Sequence, residues 1–190
     1  MSVTGYVEWV LGELRHKNAM HVVTEIDRRS GALVARNPYN TEFQGRLAFF
    51  AVDDPGRSAT GDRVEFIGRN GTLAQPAALA RARLSGRVGA GFDPCGALQA
   101  MVDLGDGERR ELVFVLGLAG SQDELAQLIG RTLGPAHAQL ELEKVWQFWK
   151  HTLGAVHVQT PDPAIDILAN GWLLYQTMSC RLWARTGFYQ

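Results

Sequence analysis

The residues whose side chains could best bind a ligand or take part in chemistry lie at positions 170–190, NGWLLYQTMSCRLWARTGFYQ. Arg181 and Arg185 are four residues apart, so a helix would present both guanidinium groups on one face. The planar fork of a guanidinium group matches phosphate oxygens, which makes a phosphate or sugar site one interpretation. Structural ion pairs, or caps on the last carbonyl groups of a helix, are the alternative.

Aromatic side chains accompany the two arginines. Trp172 and Tyr175 fall on the same predicted helix, and Trp183, Phe188 and Tyr189 follow. The flat face of an aromatic ring suits the C–H-rich side of a pyranose ring, so these residues could form a platform for sugars. The same spacing is also typical of a helix that packs its aromatic side chains in a protein core.

The rest of the chain offers no pattern for a catalytic centre or a metal site. The five histidines form neither an HxH nor an HExxH pattern, so the sequence predicts no metal site. Asp162 is predicted to cap a helix and Asp166 to favour the start of that helix, while Asp53 and Asp54 precede Pro55 in a typical turn. We therefore predict no catalytic residue within this chain.

Composition excludes several classes of function. The 190 residues carry a net charge of −1 with both signs spread along the chain, so there is no basic stripe for nucleic acid. No apolar run approaches the roughly 18 residues of a membrane span, and we predict no membrane contact from this segment. Cys95 and Cys180 lack CxxC partners, which favours two ordinary buried thiols in a reducing, cytoplasmic compartment.

These side chains must be positioned by a β-rich region followed by helices. Short apolar runs predict strands at residues 47–52, 63–67, 97–104 and 111–118. Asp106-Gly107 lies between the last two runs and predicts a hairpin that joins them. Several short strands separated by turns favour an antiparallel β-sandwich over residues 1–120.

Three helices are predicted after Gly120. Ser121 and Glu124 have the spacing of a capping box, and Gly134 should end that first helix before Pro135 opens the second. Asp162-Pro163 should start a third helix that runs to about Ala184. Because this helix is apolar on nearly all sides, it needs other helices around it, and the chain supplies only two. We therefore expect the isolated chain to expose Trp172, Leu174 and Met178 and to self-associate.

A family resemblance covers essentially the whole chain. The blocks that carry it are, in order, NPYNTEF (37–43), TGDR (60–63), FIGR (66–69), GFDPCG (91–96), GL (117–118) and NGWLLYQTMSCRLWARTGFYQ (170–190). Together they resemble the phosphorylase-like region of cyclic β-1,2-glucan synthases. That region belongs to family 94 of the glycoside hydrolases, with the cellobiose and chitobiose phosphorylases.

The resemblance implies an α+β chain with three parts. Residues 1–120 would be the later part of a β-sandwich of the supersandwich type, 121–160 a helical linker, and 161–190 the first helix of a truncated (α/α)6 catalytic barrel. Family members continue beyond the position of Gln190 into a glycine-rich loop with an Arg-Asp pair, and their general-acid aspartate comes later. We therefore expect a fragment that is inactive alone, from a parent synthase in the inner membrane.

The resemblance also implies a chemistry and its site. An inverting phosphorylase protonates the glycosidic oxygen with one aspartate while phosphate attacks the anomeric carbon, so no second carboxylate is needed. The expected ligands are a β-glucan oligosaccharide with inorganic phosphate as co-substrate, or a sugar phosphate, and no cofactor. Arg185 aligns best with the phosphate-side arginine of the family, and Arg181 is the alternative.

The other residues that the resemblance assigns to the substrate pocket are Asn170, Trp172, Tyr175, Gln176 and Gln190. The remaining partner would be the rest of the parent chain. The alternative function is a non-catalytic β-sandwich module that binds carbohydrate or another protein.

Overall fold

The computed structural model describes residues 1–42 and 44–183, which fall into two compact units. We call Met1–Ala138 the sandwich unit and Gln139–Gln190 the helical unit. The elements of the chain are β1 (Ser2–Glu8), α1 (Arg15–Asn18), β2 (Val23–Ile26), β3 (Leu33–Arg36), β4 (Leu47–Val52), β5 (Ser58–Asp62), α2 (Arg63–Ile67), β6 (Pro94–Met101), β7 (Phe114–Ala119), α3 (Gln122–Thr132), α4 (Pro135–Leu153), α5 (Pro163–Ile167) and α6 (Leu173–Thr177). Short 3-10 turns occur at Ala19–His21 and Ala77–Ala80.

The strands form two antiparallel sheets, as predicted for this part of the chain. The first sheet has the order β1-β6-β5 and the second the order β2-β3-β4-β7. Leu33, Phe50 and Val52 from the second sheet share one buried cluster with Ala59 and Leu98 from the first. The two sheets therefore pack face to face around a common core, which confirms the β-sandwich.

Each sheet also buries its outer face against a helix. Phe49 and Ala51 of β4 point away from the other sheet and pack with Leu125 and Ile129 of α3. Because alternate residues of a strand face opposite sides, the apolar run of β4 packs against the first sheet on one side and against α3 on the other. On the far side of the first sheet, a third cluster joins α2 to β6. The sandwich unit thus has four layers: α3, two sheets and α2.

The predicted hairpin between residues 97 and 118 is wrong. β6 pairs with β1 and β5 in the first sheet, whereas β7 pairs with β4 in the second. The connection between β6 and β7 therefore crosses from one sheet to the other. Gly107 does adopt a positive φ of 74°, so the turn was predicted at the right place but between strands that are not neighbours.

The predicted strand at residues 63–67 is also wrong, because Arg63–Ile67 forms helix α2. Asp62 caps this helix, since its Oδ1 accepts hydrogen bonds from the backbone N–H groups of Val64 (2.9 Å) and Glu65 (3.4 Å). The sequence contains this signal: Asp62 and Glu65 stand at capping-box spacing, as Ser121 and Glu124 do. The apolar run of α2 is short, and a short apolar run is compatible with either a strand or a helix.

The starts of α3 and α5 and the break between α3 and α4 lie where the capping residues and the glycine predict them. Ser121 accepts a hydrogen bond from the N–H of Glu124 (3.1 Å) at the start of α3. Gly134, with φ of 105°, separates α3 from α4, and Asp162 caps α5 through the N–H of Ala164 (2.9 Å). The predicted domain boundaries after residues 120 and 160 stay a prediction.

The third predicted helix is not uniformly α-helical. Two π-helical stretches, Leu168–Trp172 and Met178–Leu182, follow α5 and α6. Trp172 is 57% exposed, as expected of a helix that lacks partners, and Ile167 and Leu182 are both 74% exposed. Leu174 and Met178 are half-buried, which is less exposure than expected. Ala184, the predicted end of the helix, lies outside the described residues.

Candidate functional site

The first predicted site residue, Asn170, fixes the start of the third helical run. Its side-chain amide donates to the carbonyl oxygen of Val158 (2.7 Å) and accepts from the N–H of the same residue (2.7 Å). Asp166 likewise accepts from the N–H of Thr160 (2.8 Å). The side chains of Asn170 and Asp166 therefore bind the backbone of the segment that precedes the helix. Both polar groups of the Asn170 side chain are hydrogen-bonded to the backbone of Val158.

Trp172 and Tyr175 lie beside each other on the third helical run. Their ring centroids are 6.3 Å apart with an angle of 31° between the rings. Trp149 of α4 packs against Tyr175 at 5.3 Å and against Trp183 at 5.5 Å. Trp172 is 57% exposed, whereas Tyr175 is half-buried. These four rings thus form a small aromatic cluster, in which Trp172 is the most exposed ring.

Gln176 and Arg181 lie further along the same helical run. Gln176 is half-buried and its Oε1 is 3.7 Å from the thiol of Cys180, which donates to it. Arg181 is exposed, and within the described part of the chain it forms no ion pair. Nine residues separate Trp172 from Arg181, which corresponds to roughly 13 Å along a helix. Arg185 and Gln190, the two other predicted site residues, lie outside the described residues.

A cavity in the sandwich unit was not predicted from the sequence. It measures about 230 Å³ and is lined by Leu11, Gly12, Asn37, Arg46 and Leu118. Asn37 is buried; it donates to the carbonyl oxygen of Leu11 (2.9 Å) and accepts from the N–H groups of Tyr39 (3.1 Å) and Asn40 (3.3 Å). The NPYN block contained Asn37, but spacing alone gives no sign that this side chain shapes a cavity.

A network of charged side chains holds one end of the first sheet. Glu8 pairs with Arg63 (2.8 Å) and Arg15 (3.2 Å), and both arginines also reach Asp93. Burial on its own would raise the pKa of Glu8, but hydrogen bonds from Arg63 and Tyr6 and the charge of Arg15 lower it below its usual range. Because two carboxylates balance two guanidinium groups, this network is structural.

Among the described residues, neither cysteine forms a disulfide or part of a metal site. Cys95 is fully buried, and burial together with the charges of Asp62 and Asp93 raises its pKa to about 12, so the thiol stays protonated near neutral pH. Cys180 is half-buried and is not in a disulfide. Across residues 1–42 and 44–183, no three His, Cys, Asp or Glu side chains come together as a metal site. None of the described helices is long and apolar enough to cross a bilayer.

Two family models match the chain one after the other. Residues 1–135 match the supersandwich domain of glycosyl hydrolase 94, and residues 148–190 match the catalytic domain of the glycosyl hydrolase 94 superfamily. The first match contains both sheets and α3. The second contains Trp149, the aromatic cluster and every residue that the sequence assigned to the site.

Curated relatives resemble the chain over most of its length. A cyclic β-(1,2)-glucan synthase, NdvB, from Rhizobium meliloti strain 1021 is 40% identical over 195 residues, covering 100% of this chain and 7% of the synthase. An N,N'-diacetylchitobiose phosphorylase from Vibrio furnissii is 28% identical, with 97% of this chain and 23% of that protein covered. A 3-O-β-D-glucopyranosyl-β-D-glucuronide phosphorylase from Paenibacillus borealis is 31% identical over 68% of this chain and 17% of its own length. The chain therefore spans less than a quarter of each of these relatives.

Proposed function

Because this chain belongs to the glycosyl hydrolase 94 family, we propose that it works as a segment of an enzyme that builds or phosphorolyses β-linked glucan. The observation that carries the proposal is the order of the two family matches, a supersandwich domain over residues 1–135 followed by a catalytic-domain match over residues 148–190. The similarity to a cyclic β-(1,2)-glucan synthase over the whole chain favours β-1,2-glucan as the substrate.

In this proposal the sandwich unit is a scaffold. Its strands bury their apolar faces in three clusters, and within the described residues we find no carboxylate pair or nucleophile placed for catalysis. The helical run from Pro163 would open the catalytic barrel and carry one rim of the substrate site. The 190 residues alone would then bind substrate weakly and show no turnover, because the sequence assigns to them no acid that would protonate the glycosidic oxygen.

The rim has two parts that differ in chemistry. Trp172 offers an exposed ring for a sugar face, next to Tyr175, whose ring is held by Trp149. Arg181, and Arg185 beyond the described residues, would hold phosphate as it attacks the anomeric carbon, since a guanidinium fork binds phosphate oxygens in a fixed orientation. The separation of roughly 13 Å between Trp172 and Arg181 leaves room for more than one sugar ring along the rim.

The proposal is tested by phosphorolysis of β-1,2-gluco-oligosaccharides, followed as sugar 1-phosphate release. The 190-residue chain should release none, and the longer natural polypeptide that contains it should be active. In that active enzyme, Arg181→Lys and Arg185→Lys are compared with Arg131→Lys, an exposed arginine at the end of α3. At least one of the first two should raise the KM for phosphate about tenfold or more, with little change in the KM for oligosaccharide.

Two results would overturn the proposal. If the longer polypeptide showed neither phosphorolysis nor glycosyl transfer but bound the oligosaccharide, the chain would be a non-catalytic binding module. If Arg131→Lys raised the KM for phosphate as much as both helix variants, the phosphate would not be held at this rim.

A further inference from the structure

A second group of arginines lies in the sandwich unit, in a groove of about 360 Å³ that we call the arginine groove. It is formed by the turn between β2 and β3, the turn between β4 and β5, and residues 83–86. Arg57 and Arg83 both line it, with Gly31, Ser58 and Ser85. No residue assigned to the rim of the catalytic domain belongs to this groove.

Backbone carbonyl groups fix the guanidinium group of Arg57. It donates from Nε to Gly31 (3.1 Å), from Nη2 to Ser30 (2.6 Å) and from Nη1 to Asp54 (2.9 Å). Gly31 has a φ of 65°, and a Cβ at this position would collide with the guanidinium group. The chain therefore keeps space for a half-buried arginine whose orientation is set by two turns.

Arg83 is held against the same turn. Its Nη2 donates to the carbonyl oxygens of Gly56 (3.0 Å) and Arg57 (3.3 Å). Two positive charges are thereby kept around residues 54–57, and among the described residues neither arginine has a carboxylate within ion-pair distance. Arginine has five N–H donors, so each of these two side chains keeps donors that no protein group accepts.

The acidic groups nearby are already occupied. Asp54 accepts from the N–H of Gly56 (2.8 Å) and pairs with Arg110 (3.5 Å). Asp27 accepts from both the N–H (2.8 Å) and the hydroxyl group (2.6 Å) of Ser30. Neither carboxylate is therefore available to neutralise the two arginines of the groove.

Arg83 differs from the neighbouring arginines on the same segment, because those arginines form ion pairs. Arg81 pairs with Glu65 (2.9 Å) and Arg87 pairs with Asp62 (3.4 Å), whereas Arg83 lies between them with carbonyl partners only. Carbonyl dipoles orient a guanidinium group but do not cancel its charge. An anion placed between Arg57 and Arg83 would relieve the repulsion between them and use their remaining donors.

We propose that the arginine groove binds a tetrahedral oxyanion, the phosphate group of inorganic phosphate or of a phosphate ester, between Arg57 and Arg83. The N–H donors that remain on two guanidinium groups from separate segments can approach different oxygens of one tetrahedral anion, an arrangement that a planar carboxylate does not offer. The hydroxyl groups of Ser58 and Ser85 already donate to Gln99 (3.2 Å) and Glu65 (2.7 Å), so the two arginines supply the binding. This inference does not depend on the proposed function.

The test is calorimetric titration of the 190-residue chain at pH 7.5 and constant ionic strength. Inorganic phosphate is used in one arm and glucose 6-phosphate in the other, at a protein concentration where size-exclusion chromatography shows one species. We expect saturable binding of at least one of them, and the tighter ligand identifies the source of the phosphate group. Arg83→Gln should weaken that binding about tenfold or more, while Arg81→Gln, two residues away with the same loss of charge, should change it less than threefold.

The proposal is overturned if neither ligand gives saturable heat. It is also overturned if Arg81→Gln and Arg83→Gln weaken binding equally, because the effect would then reflect general charge. Arg81 and Arg83 are both exposed, and circular dichroism of each variant checks that the fold is kept.

Discussion

The two units of this chain treat their apolar side chains very differently. In the sandwich unit, Phe49 is 1% exposed and Leu98 is fully buried, and three clusters fill the spaces between the layers. Across residues 139–183 of the helical unit, by contrast, the only buried residue is Ser179, which is polar. The sandwich unit has a core because it contains all the layers against which its strands pack. The helices of the helical unit carry exposed apolar side chains and need further partners to form a core.

The first and largest prediction compares a side chain from each unit. Phe49→Ala should lower the free energy of unfolding of the sandwich unit by about 3–5 kcal/mol, because it opens a cavity between β4 and α3. Trp146→Ala, which removes a larger ring that is 57% exposed, should lower it by less than about 0.5 kcal/mol. Urea denaturation followed by circular dichroism measures both. Equal losses would mean that Trp146 supports the sandwich unit as much as Phe49 does, which would contradict the contrast between the two units.

The second prediction concerns acid stability. Burial alone would raise the pKa of Glu65, but hydrogen bonds from Thr60 and Ser85 and the charge of Arg81 lower it below its ordinary value. The ionised form is therefore favoured in the folded state. Its contribution to stability is fully present above the ordinary glutamate pKa of about 4.3 and is lost as the pH falls through the lower, folded value.

Glu65→Gln should consequently cost about 1.5–3 kcal/mol at pH 7, since Glu65 is nearly buried and its hydrogen bonds are charge-assisted. The loss should begin to shrink as the pH falls below the ordinary glutamate pKa of about 4.3, and it should be smallest below the lower folded-state pKa, where the native glutamate is itself protonated. Glu143→Gln in the helical unit is the control, because that carboxylate is exposed and bonds only to Gln147 among the described residues. A pH-independent cost for Glu65→Gln would show that charge is not the reason for it.

The same comparison shows which features the sequence could predict. The starts of α3 and α5 were predicted because Ser121 and Asp162 are local signals that act within one turn of helix. The partner of β6 was not, because strand pairing depends on distant residues: β6 lies between β1 and β5, nearly a hundred and about forty residues away. The exposure of Trp172 was predicted because the chain offers the third helix too few neighbouring helices. The partial burial of Leu174 and Met178 was not, because an apolar pattern does not specify which contacts a side chain makes.

The candidate site was predictable only in part. The spacing of Trp172 and Tyr175 places them on neighbouring turns of one helix, and their rings are neighbours, but their role as a sugar platform stays a prediction. The contact of Tyr175 with Trp149 brings together two helices, so no single helical pattern contains it. The roles of Arg181, Arg185 and Gln190 stay predictions. The arginine groove has no sequence motif at all, because three separate turns supply its residues.

The third prediction concerns the exposed apolar surface of the helical unit. Ile167, Trp172 and Leu182 are each more than half exposed, as was expected of Trp172, while Leu174 and Met178 are half-buried. Such a surface favours self-association of the isolated chain. The double variant Ile167→Lys with Leu182→Lys should raise the concentration at which half the chain is associated about tenfold, or about 1.4 kcal/mol.

Sedimentation velocity at several concentrations measures this shift. Met20→Lys is the control, since Met20 is 73% exposed but stands on the sandwich unit. A native chain that stayed monomeric at all concentrations would contradict the prediction, and so would a control variant with the same effect as the double variant.

The fourth and smallest effect is expected from the helix caps. Ser121→Ala removes the acceptor for the N–H of Glu124 and should lower the free energy of unfolding of the sandwich unit by about 1 kcal/mol, because α3 packs Leu125 and Ile129 on the second sheet. Asp162→Ala removes a similar cap from α5, which has no buried side chain. Its cost should appear as faster amide exchange at the start of α5, with the sandwich unit unchanged within about 0.3 kcal/mol. If Asp162→Ala destabilised the sandwich unit as much as Ser121→Ala does, the two units would unfold as one, and the contrast in their burial would not be a contrast in their stability.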